Sequence, residues 1–299
     1  MSGRIEAALW RLATEILAAL SRLPMPLLYL ISSAMAWLAR CVVRYRRGVV
    51  RGNLAACFPD LTPAERLKIE REFYRNFADY IVETLKLLTI SPERMRRLIT
   101  FTGLENVNDP LSRGQSVIAY FSHTFNWEWA TAFPLAECGV DAVFSQVYRP
   151  LRNKAFDRLM LRMRGRFGSV SLPKATVLRS LLRYRAEGCL TVTGFMSDQK
   201  PSHGDPTCKL MFLNRPTAMI TGTETLATKL RLEPVYFDLV RVSRGHYRLD
   251  VKKMTPTREN MEQPFPLTRL YARMLQQSIT RRPASWLWTH NRWKYPVTL

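Results

Sequence analysis

After residue 100 the sequence alternates between short apolar runs rich in β-branched residues and segments with helical periodicity. The strand-like runs are S-V-I-A-Y-F (116–121), D-A-V-F-S-Q-V (141–147), G-S-V-S-L (168–172) and L-T-V-T-G-F-M (190–196), and helices are expected near 125–138, 151–165, 173–187 and 219–231. This alternation predicts an α/β fold with a mostly parallel sheet flanked by helices. Two further runs, joined by residues 243–245, predict an antiparallel hairpin at one edge of that sheet.

Polar residues follow two of these predicted strands where each strand ends. His123 comes after V-I-A-Y-F-S, and Asp198 comes after L-T-V-T-G-F-M-S. Ligands of open parallel sheets collect at the carboxyl ends of the strands. We therefore expect both side chains on the same rim of the sheet.

His123 is followed five positions later by Glu128. On one continuous helix these two residues would lie about 140° apart, so His123 must precede the helix if they are to meet. From the first helical turns, Glu128 would accept the Nδ1 hydrogen of His123 and leave Nε2 free as a general base. No G-x-S-x-G nucleophile motif is present, so this base would activate a hydroxyl group of the substrate.

The N-terminal region is apolar and is followed by basic residues. Residues 23–39 carry no charge but reach only the short limit of a membrane span, and the preceding stretch resembles an interfacial amphipathic helix with Arg11, Glu15 and Arg22 on its polar stripe. Five arginines between 40 and 51 are typical of a juxtamembrane cluster on the cytosolic side, although a buried core helix with a solvated basic end would give a similar pattern. We expect residues 1–50 to form a membrane-associating region and residues 51–299 a single α/β domain.

The formal net charge of +21 indicates an anionic partner, which could be nucleic acid, an anionic membrane surface or an acidic carrier. No known nucleic-acid-binding pattern is present, which argues against the first of these. The five cysteines show no C-x-x-C or metal-ligand spacing, and there is no phosphate-binding G-x-x-x-x-G-K motif. We therefore expect a reducing compartment and neither a cofactor nor a metal ion.

Six segments, taken in order, resemble the lipid A biosynthesis acyltransferase family, the late lauroyl and myristoyl transferases of the wider glycerolipid acyltransferase superfamily. They are R-Y-R-R-G-V-V-R-G-N-L-A-A-C-F-P, F-S-H-T-F-N-W-E, V-Y-R-P-L-R-N, S-D-Q, F-L-N-R-P-T-A-M-I-T-G-T-E and W-L-W-T-H-N-R-W-K. The resemblance implies transfer of a fatty acyl group from an acyl carrier protein thioester to a hydroxyl of a lipid A precursor, without a covalent enzyme intermediate. It places the reaction at the cytosolic face of the bacterial inner membrane.

The resemblance also implies roles for four residues. His123 would be the base and Glu128 its orienting partner; Arg149 would bind an oxyanion or a phosphate, and Asp198 would hold that arginine or the acceptor. The loop Q-K-P-S-H-G-D-P-T-C-K and the segment His290–Arg292 depart from the family pattern, so the acceptor and the acyl length stay open. The alternatives are an acyltransferase acting on a lysophospholipid or aminolipid, and a non-catalytic basic protein that binds membrane surfaces.

Overall fold

The computed structural model describes residues 2–299, apart from the side chains of residues 2–8, 11, 259 and 260, so Arg11 of the expected polar stripe lies outside the described side chains. The chain begins with five helices: α1 (Ser2–Arg22), α2 (Met25–Trp37) continued by a π-helical turn (Leu38–Val42), α3 (Arg47–Cys57), α4 (Pro63–Lys86) and α5 (Pro92–Leu98). The side chain of Thr62 accepts a hydrogen bond from the backbone N–H of Glu65, and the Glu65 carboxylate accepts one from the backbone N–H of Thr62. This reciprocal cap starts α4.

The remainder of the chain alternates strands and helices. It contains β1 (Ile99–Thr102), α6 (Glu105–Ser112), β2 (Val117–Phe121), a 3₁₀ helix (Trp127–Leu135), β3 (Val143–Tyr148), α7 (Lys154–Arg164), β4 (Val170–Pro173), a 3₁₀ turn (Lys174–Thr176), α8 (Val177–Ala186), β5 (Thr191–Met196), β6 (Thr207–Phe212), β7 (Arg215–Ile220), α9 (Gly222–Leu230), β8 (Glu233–Ser243), β9 (His246–Lys253), α10 (Arg258–Met261), α11 (Pro266–Arg281) and a last 3₁₀ turn (Pro283–Ser285).

Seven of these strands form one sheet in the order β1-β9-β8-β2-β5-β3-β4. Every neighbouring pair is parallel except β8 and β9, and helices cover the sheet, so the predicted fold class is confirmed. The β8–β9 hairpin does not lie at the edge as expected, because β1 pairs in parallel with β9 and extends the sheet beyond it. Between residues 200 and 220 the sequence predicted no strand before the helix near 219–231, but the separate antiparallel pair β6–β7 lies there.

Two apolar cores lie against the sheet. One contains residues of α3, α4, α8, α9 and α11, and the other contains the 3₁₀ helix 127–135, α7 and the apolar residues of β9. Strand β2 is buried along its whole length and pairs on both sides, which makes it a central strand. A continuous apolar run is what a strand covered on both faces requires.

The N-terminal helices pack against α4. In α2, Ser32 donates a 2.5 Å hydrogen bond to Asp79 and Tyr29 donates one of 2.8 Å to Glu83. At the end of α1, the buried Lys86 donates to the carbonyls of Ser21 and Leu23, which satisfies acceptors that a helix C-terminus leaves unpaired. Among the described residues, one helical segment, Met25–Val42, is long and apolar enough to cross a membrane.

Candidate active site

The register of the central strands brings His123 and Asp198 together. Phe121 of β2 is paired with Met196 of β5 in a parallel ladder. His123 and Asp198 each lie two residues beyond this paired position, at the carboxyl end of their strands. Both residues therefore reach the same rim, as the sequence predicted, and they do so as direct neighbours.

The carboxylate of Asp198 holds the imidazole of His123 on one side. Its Oδ1 lies 2.7 Å from Nδ1 of His123, while its Oδ2 accepts the backbone N–H of His123 at 2.9 Å and the indole N–H of Trp286 at 2.8 Å. Asp198 is 1% exposed. Burial acts to raise its pKa, but the charge and hydrogen bonds of His123 and the indole of Trp286 outweigh this and lower the pKa to about 2. The carboxylate is therefore ionised at neutral pH and favours the tautomer of His123 that keeps Nε2 free to accept a proton.

Trp286 reaches this site from the C-terminal segment. The segment runs beside the turn after β2, where Thr124 and Trp286 form an isolated antiparallel bridge and the backbone N–H of Phe125 donates to Ser285 at 2.8 Å. The indole ring packs edge-on against Trp288, with a centroid separation of 5.0 Å. No local pattern in the sequence indicates this role, because the contact joins positions 88 residues apart.

Glu128 does not orient His123, contrary to the expectation from the H-x-x-x-x-E spacing. Its carboxylate accepts two charge-assisted hydrogen bonds from Arg164 of α7, at 2.7 and 2.6 Å, and one from the indole N–H of Trp127 at 3.2 Å. The physical reason is the backbone between the two residues. Phe125 has a positive φ of 46°, and the helix that follows is a 3₁₀ helix starting at Trp127, which directs Glu128 toward α7.

Glu128 and His123 are nevertheless linked through Trp127. The Trp127 ring packs edge-on against the His123 ring at a centroid distance of 5.1 Å, and its N–H donates to Glu128. Glu128 is 3% exposed, so its ion pair with Arg164 is largely removed from water. Sequence reasoning missed Arg164, which looks like one more basic residue at the end of an amphipathic helix.

Arg149 lies at the mouth of the site and is exposed. Its Nη2 donates to the hydroxyl of Ser202 at 2.9 Å, so Asp198 does not hold this arginine as one expectation had it. Asp205 accepts the backbone N–H of Ser202 at 2.9 Å and a 2.6 Å bond from Lys174. Because Arg149 and Lys174 both line the same opening, the mouth carries positively charged side chains that are held in place by hydrogen bonds to Ser202 and Asp205.

A cavity of about 630 Å³ opens beside His123. Its wall contains Glu128, Arg149 and Arg164, and its interior is lined mostly by apolar side chains, among them Phe121, Phe133, Phe144, Val192 and Phe237. Volumes of this size are those of small-molecule sites, which are apolar with a few polar groups placed for orientation. Three of the four predicted site residues, His123, Glu128 and Arg149, line this cavity, and Asp198 lies behind His123.

A histidine held by a buried carboxylate, beside a mostly apolar cavity at the rim of a parallel sheet, is an arrangement suited to general-base chemistry on a substrate with an apolar chain. A sequence model of the bacterial lipid A biosynthesis acyltransferase family matches residues 5–295, and the chain belongs to that family. It is therefore an acyltransferase, as the ordered segments indicated.

Three curated relatives cover most of the chain. The lipid A biosynthesis palmitoleoyltransferase of Escherichia coli (strain K12) is 24% identical over 277 residues, which is 91% of this chain and 87% of that protein. The lipid A biosynthesis acyltransferase of Shigella flexneri matches to the same extent. The lipid A biosynthesis lauroyltransferase of the same Escherichia coli strain is 23% identical over 277 residues, with the same coverage.

Proposed function

We propose that this protein transfers a fatty acyl group from an acyl carrier protein thioester to a hydroxyl of a lipid A precursor, with His123 as general base and no covalent enzyme intermediate. The observation that carries the proposal is the 2.7 Å contact between Nδ1 of His123 and the buried Asp198, at the mouth of the apolar cavity. The contact fixes the tautomer in which Nε2 accepts a proton.

In the proposed reaction, Nε2 of His123 takes the proton of the acceptor hydroxyl as its oxygen forms a bond to the thioester carbonyl carbon. The carbonyl oxygen becomes an oxyanion, and Asp198 stabilises the imidazolium that forms next to it. When the oxyanion collapses, the carbon–sulfur bond breaks and the imidazolium returns the proton to the leaving thiolate. The new ester and the free carrier thiol are the products, and His123 is again neutral.

Arg164 is the cation that we assign to the oxyanion, and Glu128 is the residue that positions it. Nε and Nη2 of Arg164 are bonded to Glu128, which fixes the guanidinium in the cavity wall. A fixed cation in a site that excludes water stabilises developing negative charge more strongly than the same cation in solution. Glu128 would thus act through Arg164 and Trp127, and not through a hydrogen bond to His123.

Arg149 is better suited to a phosphate than to the oxyanion. It is exposed at the mouth, where Ser202 and Asp205 fix it next to Lys174, whereas Arg164 lies in the interior wall. A cationic mouth suits the phosphate of a carrier prosthetic group and the acidic surface of a carrier protein. This favours acyl carrier protein over coenzyme A as the donor, because the protein supplies a larger acidic surface.

We further propose that residues 1–50 attach the catalytic domain, residues 51–299, to the cytosolic face of the inner membrane without crossing it. Half of the exposed large apolar side chains in the described part of the chain lie between residues 9 and 45. The middle of α2 is hydrogen-bonded to Asp79 and Glu83, and Arg244 also reaches it. Charged groups at that depth are costly in hydrocarbon, so an interfacial position fits the contacts better than a span.

The function is tested with purified protein, lauroyl acyl carrier protein and a lipid A precursor, with the products measured by mass spectrometry. The precursor should gain one acyl mass, and His123→Ala should remove this activity while the variant stays folded and still binds vesicles. Undiminished transfer by His123→Ala would remove His123 from the mechanism. Transfer to a lysophospholipid in place of the lipid A precursor would assign the enzyme a different acceptor.

The donor and membrane assignments have separate tests. The rate with the acyl carrier protein donor should fall steeply with salt and exceed the rate with the coenzyme A donor. Equal rates and equal salt dependence for both donors would contradict the assignment to the carrier protein. Binding to vesicles that contain anionic lipid should exceed binding to neutral vesicles, and equal binding to both would contradict the role of the basic N-terminal region.

A further inference from the structure

The cavity beside His123 extends along one face of the sheet, over three successive rows of side chains. In the row nearest the rim, Phe121 of β2 is next to Met196 of β5. In the innermost row, Val192 of β5 lies between Val117 and Phe144. These outer and inner rows carry large apolar side chains, and all but Val117 line the cavity.

The middle row is different, because two of its three positions on β2, β5 and β3 carry small side chains. There Gly194 of β5 is paired with Ala119 of β2 on one side and Gln146 of β3 on the other. The amide of Gln146 is turned to β4, where it donates to Ser171 at 2.7 Å and accepts from Ser169. The cavity thus passes over the point where the sheet itself presents the least bulk.

The backbone does not account for a glycine at position 194. Glycine weakens the interior of a strand and is found there where the backbone needs a positive φ or another group approaches closely. Gly194 does not have a positive φ, and an added Cβ would lie 3.7 Å from the Ser145 carbonyl oxygen, with no other atom within 4 Å. That separation is ordinary van der Waals contact, so the missing side chain leaves open space.

The space below Gly194 is apolar. From Met196 to Val192 the cavity follows β5 over four residue-to-residue steps, a length of about 13 Å at the usual rise of a strand. The ring of Phe133 packs against those of Phe144 and Phe237, with centroid distances of 5.5 and 4.8 Å, and all three rings line the cavity. They form an aromatic wall on this face that reaches from Phe237, level with Phe121 in the row nearest the rim, to Phe144 in the innermost row.

From this arrangement, and resting on the proposed function, we propose that Gly194 sets the length of acyl chain that the enzyme accepts. The chain runs from the thioester carbonyl beside His123, across Gly194, along the aromatic wall. A side chain at position 194 would block this route at its middle without a clash against the backbone. Gly194 is thus a specificity-determining residue and takes no part in the chemical step.

The cavity also reaches the opposite face of the sheet, where Gly222 begins α9, and this supplies a matched control. Gly222 also lines the cavity and has no positive φ, and an added Cβ would lie 3.9 Å from Cγ2 of Ile220. Thr223 and Thr225 line that branch together with the apolar Ile220 and Leu226. The two glycines therefore test which branch holds the acyl chain.

The test measures kcat/KM for Gly194→Ala, Gly194→Val and Gly222→Val with octanoyl, decanoyl, lauroyl, myristoyl and palmitoyl acyl carrier protein. Gly194→Val should lower kcat/KM for the long-chain donors about tenfold or more relative to kcat/KM for the octanoyl donor. The preferred acyl chain therefore becomes shorter. Gly194→Ala should move the preference in the same direction by less. Gly222→Val should leave the order of donors unchanged. Melting curves establish whether each variant is folded. If Gly194→Val does not fold, the test is made with Gly194→Ala.

The outcomes separate this inference from the function on which it rests. No transfer by the unsubstituted enzyme to any acceptor would refute the proposed function. Normal transfer with an unchanged length preference in both Gly194 variants, or a shortened preference in Gly222→Val, would overturn the role of Gly194. Length preference can also be measured without turnover. A fluorescent fatty acid bound to the enzyme is displaced by saturated fatty acids of increasing chain length, and the affinity of each is compared. The preferred length there should also fall in Gly194→Val, and an unchanged preference would overturn the proposal.

Discussion

Replacing Asp198 with asparagine should invert the tautomer of His123 while it leaves the shape of the site unchanged. In the native protein Oδ2 of Asp198 accepts two N–H groups, from the His123 backbone and Trp286, whereas Oδ1 accepts only from Nδ1 of His123. An asparagine has one oxygen, and at the Oδ2 position it satisfies both N–H groups. Its NH₂ group then faces Nδ1, which must accept a hydrogen bond, so the ring proton moves to Nε2. The base is lost at the atom that must take the hydroxyl proton.

The opposite orientation of the asparagine is disfavoured. It would place the NH₂ group against the N–H groups of His123 and Trp286, and leaving buried donors unsatisfied costs about 1–3 kcal/mol for each. The inverted tautomer should therefore dominate, and the loss in kcat should approach the full contribution of the general base, about 10²–10⁴-fold. This equals roughly 3–5 kcal/mol of transition-state free energy.

The assay is steady-state transfer from lauroyl acyl carrier protein to a lipid A precursor, for Asp198→Asn and for the charge-matched control Glu128→Gln. Asp198→Asn should lower kcat with little change in KM, and the loss should persist at alkaline pH because the tautomer, and not the protonation state, is wrong. Glu128→Gln loosens Arg164 but leaves Nδ1 of His123 bonded to Asp198, so its pH profile should keep the native shape. A folded Asp198→Asn variant with native kcat, beside a Glu128→Gln variant with a large loss, would return the orienting role to Glu128.

Three further changes test the surroundings of the site. Trp286→Phe removes one hydrogen bond to the Asp198 carboxylate, so kcat should fall about tenfold or more at constant KM, measured in the same assay. Burial raises the pKa of Glu83 from 4.5 to about 6. Because the folded state binds this proton more tightly than the unfolded state, the free energy of unfolding falls by roughly 2 kcal/mol as the pH rises through that interval. Glu83→Gln should therefore flatten that part of the dependence of Tm on pH, and an unchanged dependence would contradict the assignment. Gly245→Ala should lower Tm, because Gly245 has a φ of 78° and a Cβ there would lie 2.2 Å from the hydroxyl of Tyr29 in α2; an unchanged Tm would show that the hairpin does not hold α2.

The sequence could predict the elements whose signals are local. The cap at Thr62, the buried run of β2 and the alternation that requires a parallel sheet are all read from neighbouring residues. The rule that strand ends carry the site then places His123 and Asp198 on one rim without knowledge of any contact. The β6–β7 hairpin was missed although it is local, because its strands are only six residues long, the apolar Met211 lies on the exposed face, and Leu213 is an unusual residue for a hairpin turn with positive φ.

Which carboxylate contacts His123 depends on the register between β2 and β5. No local pattern in a single sequence encodes that register. Phe121 lies opposite Met196, and this match alone makes His123 and Asp198 neighbours. The spacing between His123 and Glu128 is a local signal, and it was misleading because it assumed a regular helix after the turn. The structure has a positive φ at Phe125 and a 3₁₀ helix where a regular α-helix was assumed. Both features lie at the turn against which the C-terminal segment packs, and a contact of this kind has no local signal.

Each of the two carboxylates of the site is paired with one basic group, Asp198 with His123 and Glu128 with Arg164. Because of this pairing, neither carboxylate can take the role of the other. Both oxygens of Glu128 are bonded to Arg164, and one also accepts from Trp127, so a turn of this carboxylate toward His123 would leave a largely buried guanidinium unpaired. The oxygens of Asp198 are held by His123 and Trp286, and its pKa of about 2 keeps the charge in place while the imidazolium forms and disappears. One carboxylate thus serves the group whose charge changes during the reaction, and the other fixes a cation whose charge stays constant.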